Sequence, residues 1–332
     1  MTMSAVAAWV VGAGGLLGSH LLATLRSHPS TRAALTGPAK GFSWSNRDAL
    51  AFEFDQGAAR FAAHVRADQA TQWAIIWAAG AGVVASTPQA LAGEHANWRL
   101  FLETLTAHPL PGRGVVFMAS SAGGVYAGAV APPFSESSEP APVSEYGRAK
   151  LDMEQTFREW TTRAATARGL VGRISNLFGP GQNLAKQQGL ISQVSRCLIF
   201  NRPIHLYVPP DTVRDFVFAS DCAEHIVDCV HRVLASGLDD DADRFIMKIF
   251  ASEQSCSLRN VIELLGDVAH RQPRVLGRPS AGSRQQPRVL AFRSRVMSTP
   301  GPPRRTALQV ALHRLHQHQM GLFCRGLLPP PQ

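Results

Sequence analysis

Residues 5–18, AVAAWVVGAGGLLG, decide how this chain is read. The apolar, β-prone run 5–11 is broken by Gly12, Gly15 and Gly18, and Leu21, Leu22 and Leu25 then recur at helical spacing within 19–26. Strand, glycine turn and helix in that order open a βαβ unit. The first glycine permits the tight bend, the second lets backbone approach a pyrophosphate, and the third lets helix pack against strand. The helix N-terminus adds unpaired N–H groups and partial positive charge facing the phosphates. The same turn also occurs where no nucleotide binds, so the residues downstream of it decide the matter.

Further along, the run WAIIWAA at 73–79 is apolar throughout and ends in small residues, the pattern of a parallel strand buried on both faces. A second strand is expected before it, at 33–36 or at 41–44. Residues 91–105 read as an amphipathic helix, 114–119 (GVVFMA) as the next buried strand, 144–160 as a helix and 169–175 as another strand. Strands alternating with helices predict an α/β fold, a Rossmann-like doubly wound parallel sheet whose ligands sit at the C-terminal strand ends. From residue 176 the texture turns to Gly/Pro-rich loops with helices between them, the clearest at 221–234 behind a Ser220 cap. This half predicts a smaller C-terminal substrate lobe. The expected division is a nucleotide-binding domain at 1–176, a substrate lobe at 177–270 interleaved with the last sheet elements, and a basic Arg/Pro-rich segment at 271–332.

The chemistry falls at those strand ends. Ser120 and Ser121 close the 114–119 strand, and Tyr146 precedes Lys150 by one helical turn, on the same face. A tyrosine with a pKa of about 10 is a poor base at neutral pH, but a nearby ammonium and a positively charged nicotinamide favour its phenolate. Lys150 can also hold the nicotinamide ribose. Ser121, or its neighbour Ser120, would orient the hydroxyl or carbonyl that reacts. Leu17 and the pair Ala78-Ala79 are assigned to the same cofactor site. An acid about 20 residues past the glycines would mark NAD through the ribose 2′-OH. Residues 30–47 hold no Asp or Glu and offer Arg32, Lys40 and Arg47, cations that suit a 2′-phosphate. NAD is the expected cofactor, with NADP left open.

Composition sets the class. The chain has 332 residues, 45% of them hydrophobic and 17% charged, as in a globular protein with a sizeable core. No apolar run reaches the roughly 20 residues of a spanning helix, and the N-terminus lacks a basic signal region, so a cytoplasmic location is expected. Five cysteines form no CxxC and no His/Cys cluster, and none is assigned to metal or catalysis. The formal charge of +9 is uneven: from Cys256 onward there are twelve arginines against Glu263 and Asp267, and nine prolines follow His270. That tail reads as a solvated segment, a basic lid over an anionic substrate, or a nucleic-acid or membrane-surface arm. His313, His316 and His318 lie in a late helical stretch without an acid to complete a metal site, and read as a polar face.

On these motifs the chain resembles the extended short-chain dehydrogenases/reductases, in the branch of NAD-dependent sugar-nucleotide epimerases and dehydratases, over roughly residues 5–265. Arg173-Ile-Ser-Asn176 with FGPG is similar to that family's RxxN…GPG segment, and Arg214-Asp-Phe-Val…Asp221 to its RDFV…D motif. The resemblance puts Asn97 at the family's helix asparagine, on the cofactor. It implies that Asn176, Arg214 and Asn183 contact the diphosphate of a nucleotide-sugar substrate, with Ser120 beside the sugar. It also implies a homodimer through helices 91–105 and 144–160. In SSAGGVYA the serine stands one residue further from Val125-Tyr126 than in many epimerases. Ala122-Gly123 replaces the Asp-Glu pair that sugar dehydratases use to eliminate water, and Arg284-Gln-Gln-Pro287 carries proline where a substrate-binding RxxD has its acid. The expected activity is epimerisation of a nucleotide sugar by transient oxidation at C4. A 4-ketosugar-nucleotide reductase and a non-catalytic dinucleotide sensor are the alternatives.

Overall fold

A computed structural model describes residues 6–67, 72–184, 189–236, 244–277, 286–297 and 305–331. In chain order the elements are β1 (Val6–Val11), α1 (Leu16–Ser27), β2 (Thr31–Thr36), α2 (Arg47–Ala67), β3 (Gln72–Trp77), α3 (Pro88–Ala107), β4 (Arg113–Ser121), the one-turn α4 (Ala122–Val125), α5 (Glu145–Arg163), β5 (Ala167–Ile174) and β6 (Asn176–Phe178). They continue with α6 (Leu190–Ile199), β7 (Ile204–Leu206), β8 (Val213–Arg214), β9 (Phe216–Phe218), α7 (Ala219–Ala235), β10 (Phe245–Phe250), β11 (Cys256–Ser257), α8 (Leu258–Ala269), β12 (Val275–Gly277), β13 (Val289–Leu290) and α9 (Leu308–Cys324).

Six parallel strands form the main sheet in the order β10-β5-β4-β3-β1-β2. Side chains alternate across it with the period of two that a strand imposes. From β1, Ala7, Trp9 and Val11 face α2, α3 and α5, where Trp77, Trp98, Phe54 and Phe101 join them. Val6, Ala8 and Val10 face the opposite layer, α1 and α7, with Leu21, Leu25, Ile226 and Val230. Each fully buried Val, Leu, Ile or Phe among them contributes about 1.5–3 kcal/mol relative to exposure. The chain leaves β1 toward β2 and returns on the other side as β3. The direction of winding therefore reverses between β1 and β3, where a crevice opens at the C-terminal strand ends.

A second core, built by α6, α8, α9 and the short strands β7 and β9, makes the small lobe. Between its parts the chain goes back to the main sheet, since β10 pairs with β5 in register Phe245↔Gly169 to Phe250↔Ile174.

The second strand is Thr31–Thr36, covering the first of the two expected positions, and 41–44 is loop. The helix α2 has no counterpart among the expected elements, although Leu50, Phe54, Phe61 and Val65 give it a buried stripe. Ser220 does not cap α7: the helix starts one residue before it, with Phe218 at the cap position, and the Ser220 hydroxyl lies 3.3 Å from Asp221 Oδ1.

The described parts of the basic C-terminal segment are packed rather than free. β13 pairs with β8, Phe134 and Phe292 form a bridge, and Ala311, Leu312 and Leu315 of α9 are buried against α6 and α8. His316 is likewise buried, 2.9 Å from Ser195 Oγ through Nδ1, so the three histidines are not one polar face; His313 and His318 are exposed. Among the described residues no helix is long and apolar enough to cross a membrane.

Candidate active site

The glycine turn sits at the crevice between β1 and β3. Gly12 has φ +88°, and a Cβ on it would stand 2.5 Å from Ala79 N; one on Gly18 would stand 2.1 Å from Gly12 O. No side chain fits at either position. Gly15 occupies the cap position of α1 without a side-chain cap, so the first-turn amides keep their hydrogens for a ligand. Gly14 faces open space. This uncapped helix end beside Ala78 and Ala79 fits a dinucleotide pyrophosphate. Leu17 packs its side chain into the core, leaving its backbone to the crevice. The end of β2 carries Thr36 and no carboxylate, Lys40 and Arg47 are exposed, and Glu53 of α2 binds Ser43 N and Oγ at 2.7 Å each. The Arg32 side chain lies outside the description.

At the end of β4 the two serines point opposite ways, as strand alternation requires. Ser120 is buried and donates to Glu154 Oε1 at 2.5 Å. Ser121 caps α4, its Oγ accepting from Gly124 N at 3.1 Å. A Cβ placed on Gly124 would lie 3.0 Å from the Tyr146 ring and 3.3 Å from Ser121 Oγ, so both residues lie close against Gly124. Ser144 caps α5 by accepting from Gly147 N, so Tyr146 is in the first turn of that helix.

Lys150, one turn on, holds its Nζ 5.6 Å from the Tyr146 ring centroid. That ammonium also donates to Glu94 Oε1 at 2.5 Å, and Glu94 Oε2 accepts from Ala81 N at 3.0 Å and Gly82 N at 2.8 Å. Burial alone would lower the Lys150 pKa, but the opposing charges of Tyr146 and Glu94 outweigh it and the value is raised. Burial likewise pushes Glu94 up and is overcome, chiefly by Lys150, so its carboxyl titrates below the ordinary range. No motif pointed to Glu94. Asn97, the asparagine expected here, is three residues further along α3 and half-buried, with Nδ2 donating to Trp44 O at 3.1 Å.

Behind the serines Arg173 grips Glu154 with two nitrogens, at 2.7–3.2 Å, and donates to Tyr126 Oη at 2.5 Å. Ser120 therefore belongs to a buried structural network.

On the small-lobe side Asn176 donates through Nδ2 to Asp215 O at 2.8 Å, and Asp215 itself is buried, accepting from Ser175 and Ser252. Arg214 donates to the carbonyls of Val213 (2.8 Å) and Pro287 (2.9 Å), and burial pushes its pKa down to about 10. Among the described residues no carboxylate pairs with it. Asn183 is exposed in the loop before α6. Asp221 accepts from Thr306 N and Oγ1 at 2.6 and 2.8 Å and ties down the C-terminal segment. β13 adds a strap: Asp215 N donates to Leu290 O, and Leu290 Cδ1 comes within 3.9 Å of a Cβ built on Gly123. Of the RxxD-like segment only Gln286 and Pro287 lie within the described residues.

The sequence pattern of the NAD dependent epimerase/dehydratase family matches residues 8–238, which include the glycine turn, both serines, Tyr146, Lys150 and Arg214. This chain belongs to that family. Among curated relatives, the dTDP-L-rhamnose 4-epimerase of Burkholderia thailandensis is 35% identical over 97 residues, 29% of this chain and 26% of that enzyme. The dTDP-4-dehydro-6-deoxyglucose reductase of Escherichia coli is 30% identical over 109 residues, 33% of this chain and 34% of that enzyme. Each match thus spans about a third or less of the relative. Two solved structures share the fold over nearly their whole length. The UDP-glucose 4-epimerase of Thermotoga maritima with UDP-glucose superposes with a TM-score of 0.73 at 17% identity, covering 96% of this chain and 99% of that one. RMD from Pseudomonas aeruginosa with NADPH gives 0.71 at 23%, covering 94% and 98%.

Proposed function

We propose that this family member is an NAD(P)-dependent epimerase of a nucleotide sugar, acting by transient oxidation at C4. The observation that carries the reading is that Ser121 and Tyr146 both lie against Gly124 at the C-terminal end of β4, with the Lys150 ammonium 5.6 Å from the Tyr146 ring and an uncapped glycine turn after β1. A nicotinamide cofactor bound on that turn supplies a hydride acceptor and donor. Tyr146 Oη takes the proton of the sugar hydroxyl and later returns it, and the protonated Lys150 favours the phenolate that does so. Ser121 Oγ, which accepts from Gly124 N, still has its own hydrogen to give to the reacting oxygen. Arg214, which no carboxylate among the described residues pairs with, suits the substrate diphosphate, and Asn176 and Asn183 are the further candidates for it. Held by that end, the oxidised sugar can present its other face before reduction. Dehydration would need an acid and base where Ala122 and Gly123 stand.

One observation favours a second reading, a net 4-ketosugar reductase using the same residues: the end of β2 offers no carboxylate for a ribose 2′-OH, so NADPH has a place there. A panel of UDP-, GDP- and dTDP-sugars incubated with the purified protein, no nicotinamide added, separates the two. Isomerisation of one sugar by retained cofactor is the expected result. Turnover of a keto sugar only with added NADPH would make it a reductase, and cofactor binding without conversion a sensor. The outer faces of α3 and α5 are the proposed dimer contact, which light scattering of the purified protein tests.

A further inference from the structure

We propose that Glu94 is a positioning residue: it fixes the Lys150 ammonium beside Tyr146 and offsets part of its charge, so that the pH at which the site works is set by the chain Glu94–Lys150–Tyr146. The proposal rests on the reading of Tyr146 and Lys150 as the proton-handling pair, and assigns a role to a residue outside every motif of the site.

The geometry makes the pair stiff. The side chains of Lys150 and Glu94 are 7% and 12% exposed. One carboxylate oxygen meets the ammonium at 2.5 Å while the other takes the amides of Ala81 and Gly82, so donors from α5 and from the β3–α3 loop hold Glu94 in place. That loop begins at Ala78 and Ala79, the residues against the glycine turn, and Glu94 thereby links the cofactor-side loop to the proton-handling lysine.

Other charged or titratable groups packed around the pair are already engaged. Glu154, further along α5, is bound by Arg173 of β5, and Tyr126 at the end of α4 by the same guanidinium. The neighbouring His95 of α3 turns to Thr156 Oγ1, 2.8 Å away, and β4 contributes only Ser120 and Ser121. Glu94 is the carboxylate in direct contact with Lys150.

The sign follows from charge. A carboxylate next to Lys150 reduces the positive field felt by Tyr146, and replacing it with a neutral amide of the same shape exposes the phenol to the full ammonium. The phenol of Glu94→Gln should then ionise at lower pH than that of the wild type.

The test is a pH titration of tyrosinate absorbance on the full chain. Subtracting Tyr146→Phe in each background isolates Tyr146 from Tyr126 and Tyr207. Glu94→Gln and Glu94→Asn should both lower the midpoint, whereas Glu94→Asp, which keeps the charge, should stay close to the wild-type midpoint. Circular dichroism checks that each variant is folded. Folded neutral variants with an unmoved midpoint, or a midpoint that follows side-chain length and not charge, would overturn the proposal. The titration needs no substrate, so it decides the matter even if no nucleotide sugar is turned over. If one is, the acid limb of kcat/KM should move by the same amount.

Discussion

Two residues carry the sharpest expectations. Tyr146→Phe removes one oxygen, and with it the group proposed to exchange a proton with the substrate; turnover should fall by roughly 10²–10⁴-fold. Fluorescence titration with NAD or NADPH should show cofactor binding little changed, because the glycine turn is untouched. A variant with wild-type turnover would refute the role of the phenol. Gly18→Ala acts differently: its methyl group would stand 2.1 Å from Gly12 O, forcing α1 away from β1. Loss of cofactor binding together with a lower melting temperature is expected, both read from one thermal-shift series with and without cofactor. The placement of the glycine turn, Ser121 and the Tyr146–Lys150 pair at strand and helix ends could be read from spacing along a short stretch. That of Glu94 could not, for its partner Lys150 is 56 residues away and only the packing of α3 on α5 brings them together. Asn97 sat at a plausible sequence position one helical turn too late.

At the level of elements, β8 and β13 form the wall on which Arg214 is mounted. The guanidinium already donates to Pro287 O from the segment just before β13, which aims it without neutralising it. On the proposed role, Arg214→Ala should raise KM for the nucleotide sugar by roughly 10-fold or more and change kcat much less, since a charge-assisted contact to a diphosphate would be present before and during reaction. Steady-state kinetics on the substrate found in the panel would check this, and an equal loss in kcat would place Arg214 elsewhere in the mechanism. The apolar runs that became β1, β3, β4 and β5 could be read because strands buried on both faces are nearly all apolar. The helix α2 was harder. Its buried stripe of Leu50, Phe54, Phe61 and Val65 is interleaved with charged residues and broken by Gly57, which sits where the Trp9 ring comes within 2.7 Å of a would-be Cβ. Such a contact belongs to the sheet, and no local pattern announces it. Strand β13 is two residues long and exists because β8 is there to pair with.

For the whole molecule, pH should act on stability through histidines buried in the neutral form. Burial first, then the cations Lys248, Arg305 and Arg232, lowers His225 to about 4; burial and the charge of His28, whose ring stacks on it at 4.1 Å, do the same for His231. Unfolding returns both toward about 6.5, so between those values the unfolded chain binds more protons. Stability is then complete above about pH 6.5 and drains away as the pH falls toward 4. Guanidinium midpoints at pH 7.5 and 5 should differ accordingly, and by less in His225→Asn or His231→Asn; equal losses in variants and wild type would assign the acid sensitivity to other groups. The buried residues of the second core, from Phe178 on, lie past the change of texture at residue 176, but the packing of the arginine-rich end had no such sign. Its charge suggested an arm or a lid, whereas Leu312, Leu315 and the other apolar residues spaced through α9 fasten it to the small lobe. Because β10 comes from the middle of that lobe yet lies at the edge of the main sheet, no single junction can transplant the lobe alone. Any recombinant that inherits a new small lobe across such a junction also inherits a foreign edge strand, and must satisfy the register from Gly169 to Ile174. The small lobe and the sheet's outer edge are therefore passed on as one unit, and shuffling between relatives is limited by how well six residues of β10 fit a neighbour they did not evolve beside.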